Sequence, residues 1–251
     1  MTQRLAKIIA AHSVYSRRDA ERLILDARVD VDGIVVSEVG FKIGDVAAHK
    51  ICIDGELLNV SDITQPAVWL YYKPVGVITS ARDPQGRDCV FERVKGRYAH
   101  LAQQKMISVG RLDINSEGLL ILTNSGQFAR YLELPQNKIA REYKVRVYCK
   151  KNYIEEMFRY FKNNKTVSID CIDYSLDSIS LISSSQNHHW LKLILWEGKN
   201  REIRKICTFF HAQVSRLIRV GYGPFKLGDL KPDQVANCSS EMIKKYFPQL
   251  Y

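Results

Sequence analysis

The residues best equipped for chemistry fall in four short segments. The first, Gly110-Arg111-Leu112-Asp113-Ile114-Asn115-Ser116-Glu117-Gly118, is a polar loop between one strand-like run entering at Ile107 and another leaving at Leu119. By local chemistry alone, Asp113 reads most simply as a turn residue bonding nearby backbone. The second, Gly198-Lys199-Asn200-Arg201-Glu202-Ile203-Arg204-Lys205-Ile206, follows a strand and opens an amphipathic helix. At helical spacing Arg201, Arg204 and Lys205 fall opposite Ile203, Ile206 and Phe210. A basic first helical turn suits a phosphate or a buried carboxylate. The third, Arg141-Glu142-Tyr143-Lys144-Val145, is a charged strand around one tyrosine, a residue that usually serves packing there. The fourth runs from Ser215 to Phe225 and holds Arg216, Arg219, Gly221, Tyr222 and Gly223. Arginine with aromatics suits RNA, whose unpaired bases stack on rings and guanidinium planes.

Other chemistries lack their residues. There is no P-loop and no G-x-G-x-x-G, so a nucleotide cofactor has no support. No carboxylate cluster or Walker motif favours a nuclease or phosphoryl transfer. Cys52, Cys89, Cys149, Cys171, Cys207 and Cys238 are scattered without a C-x-x-C pair, which removes zinc-ribbon and thioredoxin-like readings. They read as buried free thiols of a reducing cytoplasm. His188-His189 lacks partner ligands and is expected in an exposed turn. No metal and no cofactor is expected.

The 251 residues carry 37 Lys+Arg against 27 Asp+Glu, a formal charge of +10. That excess favours a polyanionic partner through counterion release. A hydrophobic share of 46% is enough for a real core, so the chain is not a disordered basic tail. No apolar run approaches the roughly 18 residues that cross a bilayer, so no membrane role is expected. The first 18 residues hold Arg4, Lys7, Arg17 and Arg18 without an acid, as a mitochondrial transit peptide would. Their periodicity indicates folded structure instead.

Leu5, Ile8 and Ile9 mark one helical stripe, and Ala20, Leu23, Ile24 and Ala27 another. Ser16 followed by Asp19 is a capping-box-like start for the second helix. Val29-Asp30-Val31-Asp32-Gly33-Ile34-Val35-Val36 alternates around Asp-Gly, a hairpin signal, and Asp54-Gly55 repeats it. Arg18 and Arg22 are neighbours on one face of the second helix. The stretch Leu5 to Leu57, with Ser16-Arg17-Arg18-Asp19-Ala20-Glu21-Arg22 at its centre, resembles the ribosomal-protein-S4-type RNA-binding domain. The resemblance implies that Arg17, Arg18 and Arg22 present charge to structured RNA.

Asn59 to Pro66 reads as a linker, dividing the chain into residues 1–64 and 65–251. Beyond it, strands are expected at Val68–Tyr72, Ile107–Arg111, Leu119–Thr123, Glu142–Tyr148, Thr166–Ser175, Asp177–Ser183 and Trp190–Trp196. Helices are expected at Ser125–Leu132, Tyr153–Phe161 and Glu202–Phe210. Strands outnumber helices and do not alternate with them, which indicates an α+β fold with a mainly antiparallel sheet.

Taken together, the four segments resemble the pseudouridine synthases, and within them the RsuA/RluB-type group that joins an S4-type domain to the catalytic domain. The resemblance rests on Gly-Arg-Leu-Asp with Gly-Leu-Leu-Ile-Leu-Thr-Asn over residues 110–124, and on Tyr71-Tyr72-Lys73-Pro74-Val75-Gly76-Val77. It runs from about Leu5 to Leu230. It implies an α+β synthase domain whose mixed, mainly antiparallel sheet is flanked by helices. It makes Asp113 the essential aspartate, Tyr143 the active-site tyrosine and Arg204 the basic residue that pairs with the aspartate. It implies RNA contacts from Arg111, Lys199, Arg201, Lys205, Arg216 and Arg219.

The reaction implied breaks the N1–C1′ bond of a uridine, turns the uracil and bonds C5 to C1′. It needs a carboxylate beside the sugar, as nucleophile or as base, and no cofactor. Ribosomal RNA is the implied partner, and a cytoplasmic monomer is expected. Lys73-Pro74-Val75-Gly76 and Asp83-Pro84-Gln85-Gly86-Arg87 lie closer to large-subunit members. Rival readings are a non-catalytic assembly factor that keeps the fold and a synthase of the small subunit. The S4-type reading predicts that Arg18→Glu weakens RNA binding more at low salt than at high salt. Filter binding across a salt series checks it, and a parallel loss at all salts would contradict it.

Overall fold

The computed structural model describes residues 2–60, 65–80 and 83–250. The chain divides into two compact units, residues 1–66 and 67–251. Part of the expected linker, residues 61–64, lies outside the described residues.

In the first unit, β1 (Gln3–Arg4) leads into α1 (Leu5–His12) and α2 (Arg17–Leu25). Leu5, Ile8, Ile9, Ala20, Leu23 and Ile24 are buried between them as the periodicity indicates, but Ala27, assigned to the second stripe, lies past the end of α2 at φ 55° and is exposed. The capping box at Ser16 forms: Ser16 Oγ accepts from the Asp19 amide at 3.2 Å, and the Asp19 carboxylate accepts from the Ser16 amide at 3.1 Å. Strands β2 (Val29–Val31), β3 (Ile34–Val35), β4 (Lys42–Ile43), β5 (Ile51–Ile53) and β6 (Glu56–Leu57) follow. β4 pairs with β1, and the others form a sheet in the order β3-β2-β5-β6. Asp32-Gly33 and Asp54-Gly55 all have positive φ, the geometry that closes two-residue hairpins. Arg17, Arg18 and Arg22 are exposed on α2, with Arg17 paired to Glu21 at 3.4 Å.

The second unit begins with β7 (Val68–Lys73), α3 (Val90–Arg97), β8 (Ile107–Val109), β9 (Glu117–Thr123) and α4 (Gly126–Glu133). It continues with β10 (Arg141–Tyr148), α5 (Lys151–Asn163), a hairpin of β11 (Thr166–Ile169) and β12 (Ile172–Ser175), then β13 (Ser178–Ser185) and β14 (His188–Leu195). It ends with α6 (Glu202–Phe209), β15 (Gln213–Tyr222), β16 (Phe225–Lys226), β17 (Val235–Asn237) and α7 (Ser240–Tyr246). Nine strands form one sheet along the path β13-β14-β10-β15-β9-β7-β17, with β8 beside β9 and β16 beside β15. Every pairing is antiparallel except β9 with β15. The architecture is the α+β, mainly antiparallel arrangement that the strand count indicates.

That single parallel seam has two aligned pairs, Ile218 with Glu117 and Arg219 with Gly118. One half-sheet lies on each side. Val145, Val147, Leu191 and Leu193 pack under α5 and α6, while Leu119, Ile121 and Tyr222 pack with α4 and α7. Gly118 sits at φ +102°, and a Cβ there would stand 2.3 Å from the Arg219 carbonyl oxygen.

Several local expectations are corrected. Thr166–Ser175 is not one strand: Asp170 and Cys171 turn at positive φ, and Cys171 is exposed. His188 and His189 open a strand instead of a turn. His189 is buried, contacting the Cys149 carbonyl at 3.1 Å and Ser184 at 2.8 Å. The arginines and Gly221 of β15 mask its strand pattern in the sequence. Gly118→Ala combines a left-handed backbone with a backbone collision. It should cost at least about 3 kcal/mol in urea unfolding; a loss below about 1 kcal/mol would contradict the close approach.

Candidate active site

Asp113 stands on the turn between β8 and β9, and the Ser116 amide closes that turn on the Asp113 carbonyl at 3.0 Å. Two further ties fix the loop. Thr79 Oγ1 donates to the Leu112 carbonyl at 3.0 Å. Lys73, fully buried at the end of β7, donates from Nζ to the Ser116 carbonyl at 2.8 Å and the Pro74 carbonyl at 2.9 Å. Burial pushes the Lys73 ammonium down to about 8, against the opposing pull of Asp113 and Glu117. Lys73-Pro74 therefore clamps the loop that carries Asp113.

Asp113 opens onto a cavity of about 230 Å³. Arg111 and Ser116 line it from the same loop, Arg141 and Tyr143 from β10, Lys199 and Arg201 from the turn before α6, and Leu217, Arg219 and Tyr222 from β15. Strand parity explains the convergence. Arg141, Tyr143, Val145 and Val147 alternate inward on β10, and Tyr143 pairs directly across from Arg219 on β15. Tyr143 is buried, as the aromatic wall of a small pocket should be.

Among the described residues, the cation that pairs with Asp113 is not the expected one. Arg201 Nη1 lies 3.9 Å from Asp113 Oδ2. Arg204 donates instead to the Asn115 carbonyl at 2.8 Å and the Val214 carbonyl at 3.5 Å. The cause is local. Arg201 precedes α6 in a left-handed conformation (φ 53°) and is not on the helical face it was assigned. Arg204, inside the first turns of α6, reaches backbone of the Asp113 loop. Its guanidinium is held below the usual arginine range by burial and then by Arg201, with Asp113 opposing.

Two further cations expected to contact RNA have partners within the unit: Arg216 stays exposed while it pairs with a buried carboxylate, and Arg219 is buried. Arg216 is bidentate to buried Glu117, at 2.6 and 3.1 Å, and Tyr72 Oη donates to the same carboxylate at 2.8 Å. Arg219 is 2% exposed, and its Nε donates to the Leu119 carbonyl at 2.7 Å. Lys199 pairs with Glu197 at 2.6 Å, and Lys205 reaches the Tyr174 hydroxyl at 2.8 Å. Arg201, Arg204 and Lys205 also border a shallow outer depression beside exposed Phe209.

Arg141, Lys73, Glu117, Glu197 and Glu202 were not assigned roles from sequence, although parity on β10 places Arg141 on the face of Tyr143. Glu202 is buried at the head of α6 and accepts from the Lys199 amide at 3.1 Å. Burial, then the hydrogen bond and charge of Glu197, push its carboxyl up to about 8, while Glu197 stays below its ordinary range. Burial and the neighbouring Glu197 charge thus favour the protonated form of Glu202.

Comparison with known proteins fits this geometry. A family model for RNA pseudouridylate synthase matches residues 67–209, and one for the S4 domain matches residues 3–48. A Rickettsia typhi protein described as an uncharacterized RNA pseudouridine synthase is 43% identical over 96% of this chain and 94% of its own. The chain belongs to the RNA pseudouridylate synthase family. The ribosomal large subunit pseudouridine synthase B of Pasteurella multocida is 37% identical over 90% of this chain and 63% of its own. A crystal structure of a pseudouridylate synthase shares the fold at a TM-score of 0.61 and 21% identity, covering 96% of this chain and 98% of that one. The protein is an isomerase of this synthase family, and its N-terminal unit is an S4 domain.

The carboxyl pair gives a signed expectation for the synthase. Glu202 titrates higher folded than unfolded, so the native state binds the extra proton and stability falls as pH rises from about 4 through 8. Glu202→Gln removes that titration. Its melting temperature relative to wild type should rise between pH 6 and pH 9; a constant difference would contradict the raised Glu202 carboxyl.

Proposed function

We propose that this synthase isomerises a uridine of large-subunit ribosomal RNA, with Asp113 as the essential carboxylate. The observation that carries the proposal is the convergence of Asp113 and Tyr143, distant in sequence, on one small cavity ringed by cations. The ribosomal substrate is supported by relatives described as ribosomal large subunit pseudouridine synthase B, 35–37% identical over 90% of this chain.

Each part of the site then has a task. The target base leaves its stack to enter the cavity, at a cost of a few kcal/mol. Tyr143 offers a ring face to the uracil. Asp113 meets the sugar at the bond that breaks, and Arg201 opposes its charge from 3.9 Å. Arg204 is a positioning residue, holding the loop through the Asn115 carbonyl. Arg111 and exposed Lys199 stand at the cavity for backbone phosphates. Arg17, Arg18 and Arg22 grip structured RNA from the S4 domain. The protein works in the cytoplasm as a monomer without metal or cofactor.

Asp113→Asn should abolish pseudouridine formation on ribosomal RNA extracted from cells lacking the gene, while RNA affinity stays within about threefold, since phosphate contacts carry most of it. Residual turnover above about 1% of wild type would contradict the role of Asp113.

A further inference from the structure

Four buried side-chain atoms have no hydrogen-bond partner among the described residues: Arg146 Nε, Arg204 Nε, Glu202 Oε1 and Arg219 Nη2. Arg219 is the instructive case, because it lines the cavity of Asp113 and Tyr143. It is 2% exposed, forms no ion pair among the described residues, and spends only Nε on protein, at the Leu119 carbonyl. Its guanidinium stacks 5.1 Å from the centre of the Tyr222 ring, which Arg141 approaches at 5.0 Å. A buried cation without a carboxylate is costly unless an acceptor completes it.

We propose that Arg219 is the uracil-reading residue of the site, donating to O4 of the flipped base before its turn and to O2 after it. This rests on the synthase reading above and deepens it. A guanidinium only donates and does not lose its proton. It therefore suits uracil, with oxygens at C2 and C4, and opposes cytosine, whose C4 amine would place donor against donor. A half-turn of uracil about its C6–N3 axis exchanges N1 with C5 and, at the same time, O2 with O4. One fixed donor thus meets a carbonyl oxygen before and after the turn. When the N1–C1′ bond breaks, its electron pair stays on uracil and spreads from N1 over O2 and O4, where a preorganised donor in a dry site acts most strongly. Bonding of C5 to C1′ then releases the C5 proton, and N1 gains one, so no further reactant is required.

The test uses a short RNA bearing the uridine that the wild-type protein converts, and the same RNA with cytidine at that position. Wild type should bind the uridine form at least about tenfold more tightly, because an unmet buried donor is what rejects the wrong base. Arg219→Met should bring that ratio near one and lower kcat on the order of 100- to 1,000-fold, with KM for the RNA little changed. Arg219→Lys, which keeps a donor, should retain part of the preference. Equal binding of both RNAs by the wild-type protein overturns the proposal without any variant, and so does an undiminished preference in a folded Arg219→Met. Failure of the wild-type protein to convert any uridine overturns the synthase reading, and the proposal with it.

Discussion

Two aligned pairs of parallel pairing, Glu117 with Ile218 and Gly118 with Arg219, join the halves of the large sheet, and the site depends on that seam. Gly118 lets the Arg219 backbone approach where a side chain would collide. Glu117, one residue earlier, is locked by Arg216 from across the seam and by Tyr72 from β7. The seam therefore fixes two positions at once. It anchors the start of β9, directly after the loop that carries Asp113. It also sets the register of β15, which places Arg219 beside Tyr143. Side chains from both half-sheets thus reach one cavity without any long-range arrangement of loops.

Charge is distributed by task and not as a uniform basic coat. Buried Lys73 spends its charge on backbone carbonyls, and exposed Arg216 pairs with buried Glu117. Arg204 supports the Asp113 loop through backbone. Arg201 is left to oppose Asp113, and Arg219 is left with donors that no described residue takes. Such a division suits a reaction whose substrate is a polyanion but whose reacting base is uncharged until its bond to the sugar breaks. In the proposed reaction, surface cations capture the chain and buried ones meet the charge that develops.

Much of this was legible in the sequence because strong local rules agreed with the fold. The Ser16–Asp19 capping box, both Asp-Gly hairpins and the helical stripes of α1 and α2 formed as their chemistry dictates. The role proposed for Asp113 rests on resemblance, since its local chemistry is that of any turn aspartate. The direction of the cations was not legible. A helical wheel assigns Arg201 to α6, yet its left-handed backbone takes it off the wheel and toward Asp113. Arg216 and Arg219 lie on opposite faces of β15, a consequence of period-two alternation that shows only once the segment is known to be a strand.

The central claim is that this cavity makes pseudouridine in ribosomal RNA. The most direct measurement maps pseudouridines at single-nucleotide resolution in ribosomal RNA from cells with and without the gene. The account predicts that a large-subunit site disappears on deletion and returns with the wild-type gene but not with the Asp113→Asn form. An unchanged map at every ribosomal position would contradict it.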